Sequence, residues 1–123
     1  MAVLTIKTNS APYGEESFYT CMRFALAALA EGHRVRIFFL EDAVLGAKKG
    51  QDTPEFPGLL DGKMPNVEEL LKSALRQGAE IRVCGVCCRQ RALAQEELVE
   101  GCRIGSMKEL VSWVAASDKV VEF

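Results

Sequence analysis

The chain has 123 residues, with 15 lysines and arginines against 17 aspartates and glutamates, a formal net charge of −2. Hydrophobic residues make up 49% and charged residues 26%, a composition that suits one globular domain spanning 1–123 and excludes a disordered chain. The slight acidity gives no electrostatic case for nucleic acid or an anionic membrane surface as partner.

The elements follow from the pattern in chain order. Ala2–Thr8 is a β-branched run and a first strand. Asn9–Gly14, "NSAPYG", is a loop with turn chemistry, and "EESFYTCMRFALAALAEG" is a helix that Gly32 stops. Glu15 and Glu16 suit its positive end. Arg34–Leu40 is a second strand, which makes a βαβ unit and implies parallel pairing. Gly46–Pro65 holds three of the four prolines and reads as a long loop, with Lys48 and Lys49 as solvated charges. Asn66 caps the next helix with Glu69 as its box partner, and Gly78 ends it. Glu80–Cys84 is a third strand, and a helix starts near Val86. "QEELVEG" reads as a further short helix, Cys102–Gly105 as a fourth strand, "SMKELVSWVAA" as a helix capped by Ser106 and Glu109, and "DKVVEF" as a fifth strand.

Strands alternating with helices predict an α/β three-layer sandwich, flavodoxin- or Rossmann-like, with a mostly parallel five-stranded sheet in the order 2-1-3-4-5. In that order the first and third strands flank the switch point, so the ligand site would lie between the loop at Asn9 and the loop at Cys84. No apolar run reaches membrane-spanning length, and the N-terminus lacks the layout of a signal peptide. A cytoplasmic protein is expected. Apolar residues run nearly all round the first helix, where Arg23 is the only charge between Ser17 and Ala30. One face can lie on the sheet, and the other needs a partner or a covering loop.

Three of the five cysteines fall within "VCGVCCRQRAL". In a reducing compartment such a cluster is catalytic, redox or metal-binding more often than stapled. Cys84 and Cys87 form a C-x-x-C pair. If Gly85 makes the turn, the pair meets the positive end of the following helix, which would lower a thiol pKa and favour a thiolate or persulfide anion. Arg89 and Arg91 add positive charge. The loop N–H groups of "TNSAPYG", Asn9 included, could bind an anion or simply satisfy a turn. No metal is expected, because one C-x-x-C lacks the second pair or the histidines that zinc takes, and His33 is the only histidine. That single histidine also argues against a Ser/His/Asp triad. Cys21, Cys88 and Cys102 read mainly as packing. Sulfur carriage, dithiol redox chemistry and plain burial all remain open for Cys84 and Cys87.

The chain resembles the DsrE/DsrF family of small sulfur-relay proteins, which includes TusD-type subunits. The residues that carry the resemblance are "GEESFYTCMRFALAALAEGHRVRIFFLEDAV", with an acidic-Ala-Val end to its strand, "VCGVCCRQRAL", and "GSMKELVSWVAASDKVVEF". Where the family commonly has Arg-Gly, this chain has Arg91–Ala92. The resemblance implies that Cys84 accepts sulfur as a persulfide and relays it, with Cys87 as the second thiol and Gly85, Arg91 and Asn9 stabilising the anion. It implies a sulfurtransferase-like role without a cofactor, sulfur donor and acceptor proteins as partners, and a homo-oligomer, trimeric or hexameric. The family also holds members without an established activity, so a non-catalytic oligomeric binding protein is the alternative, beside a dithiol redox protein.

Overall fold

A computed structural model describes residues 1–53 and 65–123. The strands are β1 (Val3–Thr8), β2 (Arg34–Phe39), β3 (Glu80–Cys84), β4 (Cys102–Gly105) and β5 (Lys119–Glu122). The helices are α1 (Ser17–Ala30), α2 (Val67–Arg76), α3 (Gly85–Gln90) and α4 (Met107–Ala116). Short 3-10 segments lie at Glu41–Ala47 and Gln95–Glu97. All four strand pairings are parallel. The α/β class and the five-stranded parallel sheet are those expected from the sequence.

The strand order is β4-β3-β2-β1-β5, not the expected 2-1-3-4-5. Each of the first three crossovers lays its strand beside the previous one, as sequential strands usually do. The reversal falls between β4 and β5, where α4 carries the chain back to the far edge beside β1. β2 has Val35, Ile37, Phe38 and Phe39 buried and so takes the centre, whereas "KVVE" of β5 is largely exposed and fits only an edge. The switch point is therefore between β1 and β5, and β2 separates Asn9 from Cys84.

Adjacent residues of a strand face opposite ways, and Phe38 and Phe39 show which helix covers each face. Phe39 stacks on Phe18 of α1, with centroids 4.9 Å apart, and Phe38 meets the edge of Trp113 of α4 at 6.0 Å. On the α1 face lie Val35, Ile37, Ile81 and Val83, all buried. On the α4 face, Arg36 and Arg82 hold their guanidiniums 5.6 and 5.4 Å from the Trp113 ring. Thr5 donates to the Trp113 carbonyl, which also accepts from Ser117.

Part of the second apolar face of α1 is covered within the chain. α1 packs on α2, and of its exposed residues Ser17, Thr20, Arg23, Phe24, Ala27 and Ala30 only Phe24, which lies 5.4 Å from Phe123 and is 38% exposed, is a large hydrophobe. On α4, Met107, Val111 and Val114 are also exposed, at helical spacing. Both expected caps form. Asn66 accepts from the Glu69 amide at 3.3 Å, and Ser106 and Glu109 make both halves of a capping box. Glu69 does not return its half of the first box; its carboxylate lies 3.7 Å from Lys72.

The segment after β2 is more ordered than its composition suggests. Val99 donates to Ala47 and Lys49 donates to Glu97, while Lys48 bridges Leu98 and lies 3.7 Å from the Glu97 carboxylate. Glu68, itself buried, accepts from the amides of Gly50 and Gln51 at 2.8 and 2.9 Å and pairs with Lys72 at 3.0 Å. Burial pulls its carboxyl up, but the Gln51 amide, Lys72 and the Gly50 amide outweigh it and hold the carboxyl below its ordinary range. The part of the expected long loop at 54–64 lies outside the described residues. Among the described residues, no helix is long and apolar enough to cross a membrane.

Candidate functional site

Cys84 ends β3 and Gly85 opens α3, so the chain passes from strand to helix without an intervening loop. Gly85 keeps that junction uncrowded. A Cβ at this position would lie 3.1 Å from Ile104 Cγ2 and 3.4 Å from the Gly105 carbonyl of the neighbouring strand. Cys84 and Cys87 line an open cleft of about 700 Å³ between the ends of β2, β3 and β4 and the first turn of α4. Val86, Ile104 and Met107 give it an exposed apolar rim, and Arg89 and Glu109 contribute charges.

Cys84 is only 5% exposed and Cys87 8%, so a reactant must enter the cleft to meet either sulfur. The Cys87 Sγ accepts the backbone N–H of Glu41 at 3.1 Å. The expected acidification does not hold for Cys87. Burial pushes its thiol above the usual 9.0, the hydrogen bond and charge of Cys84 add to this, and the Glu41 amide and Arg91 only partly oppose it. α3 has six residues, which leaves its dipole far short of a full-length helix. Cys88 is fully buried and pushed up to about 11, chiefly by burial and then by the neighbouring cysteines. Cys21 and Cys102 are pushed up to about 12 by burial. These three sit in the hydrophobic core, consistent with packing.

Arg91 does not point a free guanidinium into the cleft. Its Nε donates to Asp42 at 2.9 Å and its Nη1 donates to the Cys87 carbonyl at 3.1 Å. The cation that lines the cleft is Arg89. Asn9 is exposed at the end of β1, two strands from β3. Its loop satisfies itself, with Ser10 N–H donating to Thr8 Oγ1 at 3.1 Å and Ser10 Oγ to Glu15 at 2.9 Å. A second open depression, about 560 Å³ and bordered by Tyr13, Tyr19 and Arg23, contains no thiol. Among the described residues, no three His, Cys, Asp or Glu side chains converge on a metal position. His33 accepts from the Ala2 amide at 3.0 Å, far from the cysteines.

The reading from sequence missed Glu41 and Asp42 as neighbours of the cluster. "FFLEDAV" marked the segment, but nothing in it tells that its backbone reaches a cysteine 46 residues away. The Arg91–Ala92 step has a clear geometry. Ala92 adopts φ 53°, Ala92 N–H donates to the Arg89 carbonyl at 3.3 Å, and Leu93 N–H donates to that of Cys88 at 2.9 Å. This is a Schellman stop, whose left-handed position is usually glycine. Ala92→Gly is expected to stabilise the protein by about 1 kcal/mol, the strain relieved less the added freedom of the unfolded chain. Urea unfolding measures it, and a lowered midpoint would contradict it.

The DsrE/DsrF-like family model matches residues 2–123. An uncharacterised protein of Methanopyrus kandleri is 45% identical over 121 residues, covering 98% of this chain and 93% of that one. Protein YchN of Escherichia coli is 30% identical over 125 residues, covering all of both chains. The crystal structure of E. coli YchN superposes with a TM-score of 0.88 over the full length of both chains. A protein of unknown function from Methanobacterium thermoautotrophicum, at 9% identity and TM-score 0.76 over all of both chains, shares the fold. With a strand-ending cysteine at the cleft and agreement from end to end, this chain belongs to the DsrE/DsrF-like family.

Proposed function

We propose that this chain carries sulfane sulfur as a persulfide on Cys84 and relays it to a partner protein. The observation that carries the reading is the position of Cys84, at the carboxyl end of β3 on a cleft it shares with Cys87, in a member of the DsrE/DsrF-like family. A donor persulfide is attacked at its terminal sulfur by the Cys84 thiolate. The donor S–S bond breaks, the donor leaves as a thiolate, and Cys84 holds the extra sulfur. Attack by an acceptor thiolate on that outer sulfur repeats the exchange and restores Cys84. Gly85 lets the loaded strand end sit close against β4, and Arg91 holds the Cys87 segment in place. Sulfur donor and acceptor proteins, a cytoplasmic setting and a homo-oligomer, trimeric or hexameric as the family suggests, belong to this reading.

The chain is expected to gain the mass of one sulfur when incubated with a cysteine desulfurase and cysteine, and Cys84→Ser is expected to gain none. Intact-mass measurement under non-reducing conditions decides it. An unloaded wild type, or equal loading of Cys84→Ser, would sink the proposal. The place of Cys87 beside Cys84 on one cleft also suits a dithiol redox carrier, which would cycle through a Cys84–Cys87 disulfide with no sulfur gained in the same assay.

A further inference from the structure

At the end of β2 the backbone makes a corner. Leu40 is extended, and Glu41 then turns to φ 53°, a left-handed conformation that a side chain disfavours. The Glu41 side chain is exposed and has no hydrogen-bond or ion-pair partner among the described residues. The corner delivers the backbone N–H, which donates to Cys87 Sγ at 3.1 Å. The next residue, Asp42, accepts from Arg91 Nε at 2.9 Å, and Arg91 Nη1 donates to the Cys87 carbonyl at 3.1 Å. Two successive residues thus hold Cys87 from its sulfur side and its carbonyl side. Among the described residues, no N–H donates to the Cys84 sulfur.

We propose that this corner makes Cys87 the leaving sulfur when a thiol opens the Cys84–Cys87 disulfide, so that the incoming thiol bonds to Cys84. The inference rests on the reading above with one step added: when no acceptor takes the outer sulfur, the Cys87 thiolate attacks the inner sulfur of the Cys84 persulfide, displaces sulfide and closes the disulfide. In the opening step a low-molecular-weight thiolate forms an S–S bond to Cys84. The Cys84–Cys87 bond breaks, and its electron pair goes to Cys87, which leaves as a thiolate. One equivalent of thiol is oxidised into the mixed disulfide as Cys87 is reduced. An N–H donated to sulfur favours the thiolate over the disulfide sulfur, and exchange is faster through the better-stabilised leaving group. Burial still opposes ionisation of Cys87, but both sulfurs are buried, at 5% and 8% exposure, so burial does not choose between them, whereas the Glu41 N–H reaches Cys87 alone. Asp42 is a positioning residue, acting on Cys87 only through Arg91.

The test oxidises the full-length protein with diamide and adds limiting glutathione. After an acid quench and alkylation of free thiols, fragment ions of the peptide that holds the three cysteines locate the glutathione. Glutathione on Cys84 is expected to exceed that on Cys87 about tenfold, the worth of one charge-assisted hydrogen bond. Glu41→Val, whose branched side chain resists the left-handed turn, is expected to bring the ratio to about one, and Asp42→Ala, which releases Arg91 but leaves the Glu41 amide, to lower it part of the way. Glu41→Gly, which keeps the turn and the amide, retains the bias. An even ratio in the wild type, or an unchanged ratio in both Asp42→Ala and Glu41→Val, overturns the inference. Should Glu41→Val not fold, the wild-type ratio and Asp42→Ala still decide. Failure of the persulfide reading shows separately, as no sulfur gained from the desulfurase, whereas a loaded Cys84 with unbiased glutathione attack overturns this inference alone.

Discussion

Cys87→Ser is expected to load sulfur on Cys84 as the wild type does and then, with no acceptor protein present, fail to release it as sulfide. In the wild type, Cys87 shares the cleft with Cys84 and can attack the inner sulfur of the persulfide, releasing sulfide and closing the disulfide. A thiol held beside its target acts at an effective concentration far above that of dissolved thiols. Its loss should therefore slow sulfide release from preloaded protein by at least about a hundredfold. The rate is followed by sulfide detection together with the decay of the loaded mass. It also has a pH signature. Because burial holds the Cys87 thiol above the usual 9.0, the attacking thiolate is scarce at neutral pH, and wild-type release should climb with pH past that value. The variant should lose this climb. Cys88→Ser is the control, since Cys88 is fully buried with its thiol pushed up to about 11, and its release rate should match the wild type. Equal release from Cys87→Ser and wild type would remove Cys87 from the chemistry.

The local parts of this site could be read from the sequence because local chemistry sets them. β3 and β4 have the bounds that their patterns predict, and Ser106 and Glu109 close the expected box. Cys84 at a strand's carboxyl end and the C-x-x-C spacing needed no tertiary information. The misplaced features depend on contacts distant in sequence. Strand order turns on where α4 crosses the sheet, and that crossing is held by Thr5, Arg36, Phe38 and Arg82 around Trp113, from three different strands. Arg91 looked free for an anion because its partner, Asp42, is 49 residues earlier. The left-handed turn at Glu41 carries no glycine to announce it.

Trp113→Ala is expected to destabilise the protein by about 3–5 kcal/mol, the range for removing a buried indole. In a domain of this size that lowers Tm by roughly 10–20 °C. The indole is 9% exposed and does three things at once. It fills the space over Phe38, with its edge toward that ring. It presents its faces to the guanidiniums of Arg36 and Arg82. It also seats α4, whose return crossing places β5 beside β1. Arg36 makes the loss more than a cavity. Its Nε and Nη1 are buried without a hydrogen-bond partner among the described residues, and Glu80 is 3.8 Å from Nε. Without the ring those atoms keep their desolvation cost and lose the compensating π face. Trp113→Phe, which keeps an aromatic face but less area, should recover about half of the loss. Thermal melts and urea midpoints for the three proteins measure this, and a loss under about 1 kcal/mol for Trp113→Ala would show that α4 is seated without it. Sulfur loading adds a second readout. The cleft takes its wall from the first turn of α4, at Ser106, Met107 and Glu109, and not from Trp113. At a temperature where Trp113→Ala is fully folded, Cys84 should therefore load as in the wild type. Defective loading in the folded variant would mean that the seat of α4 at Trp113 also fixes the wall beside Cys84.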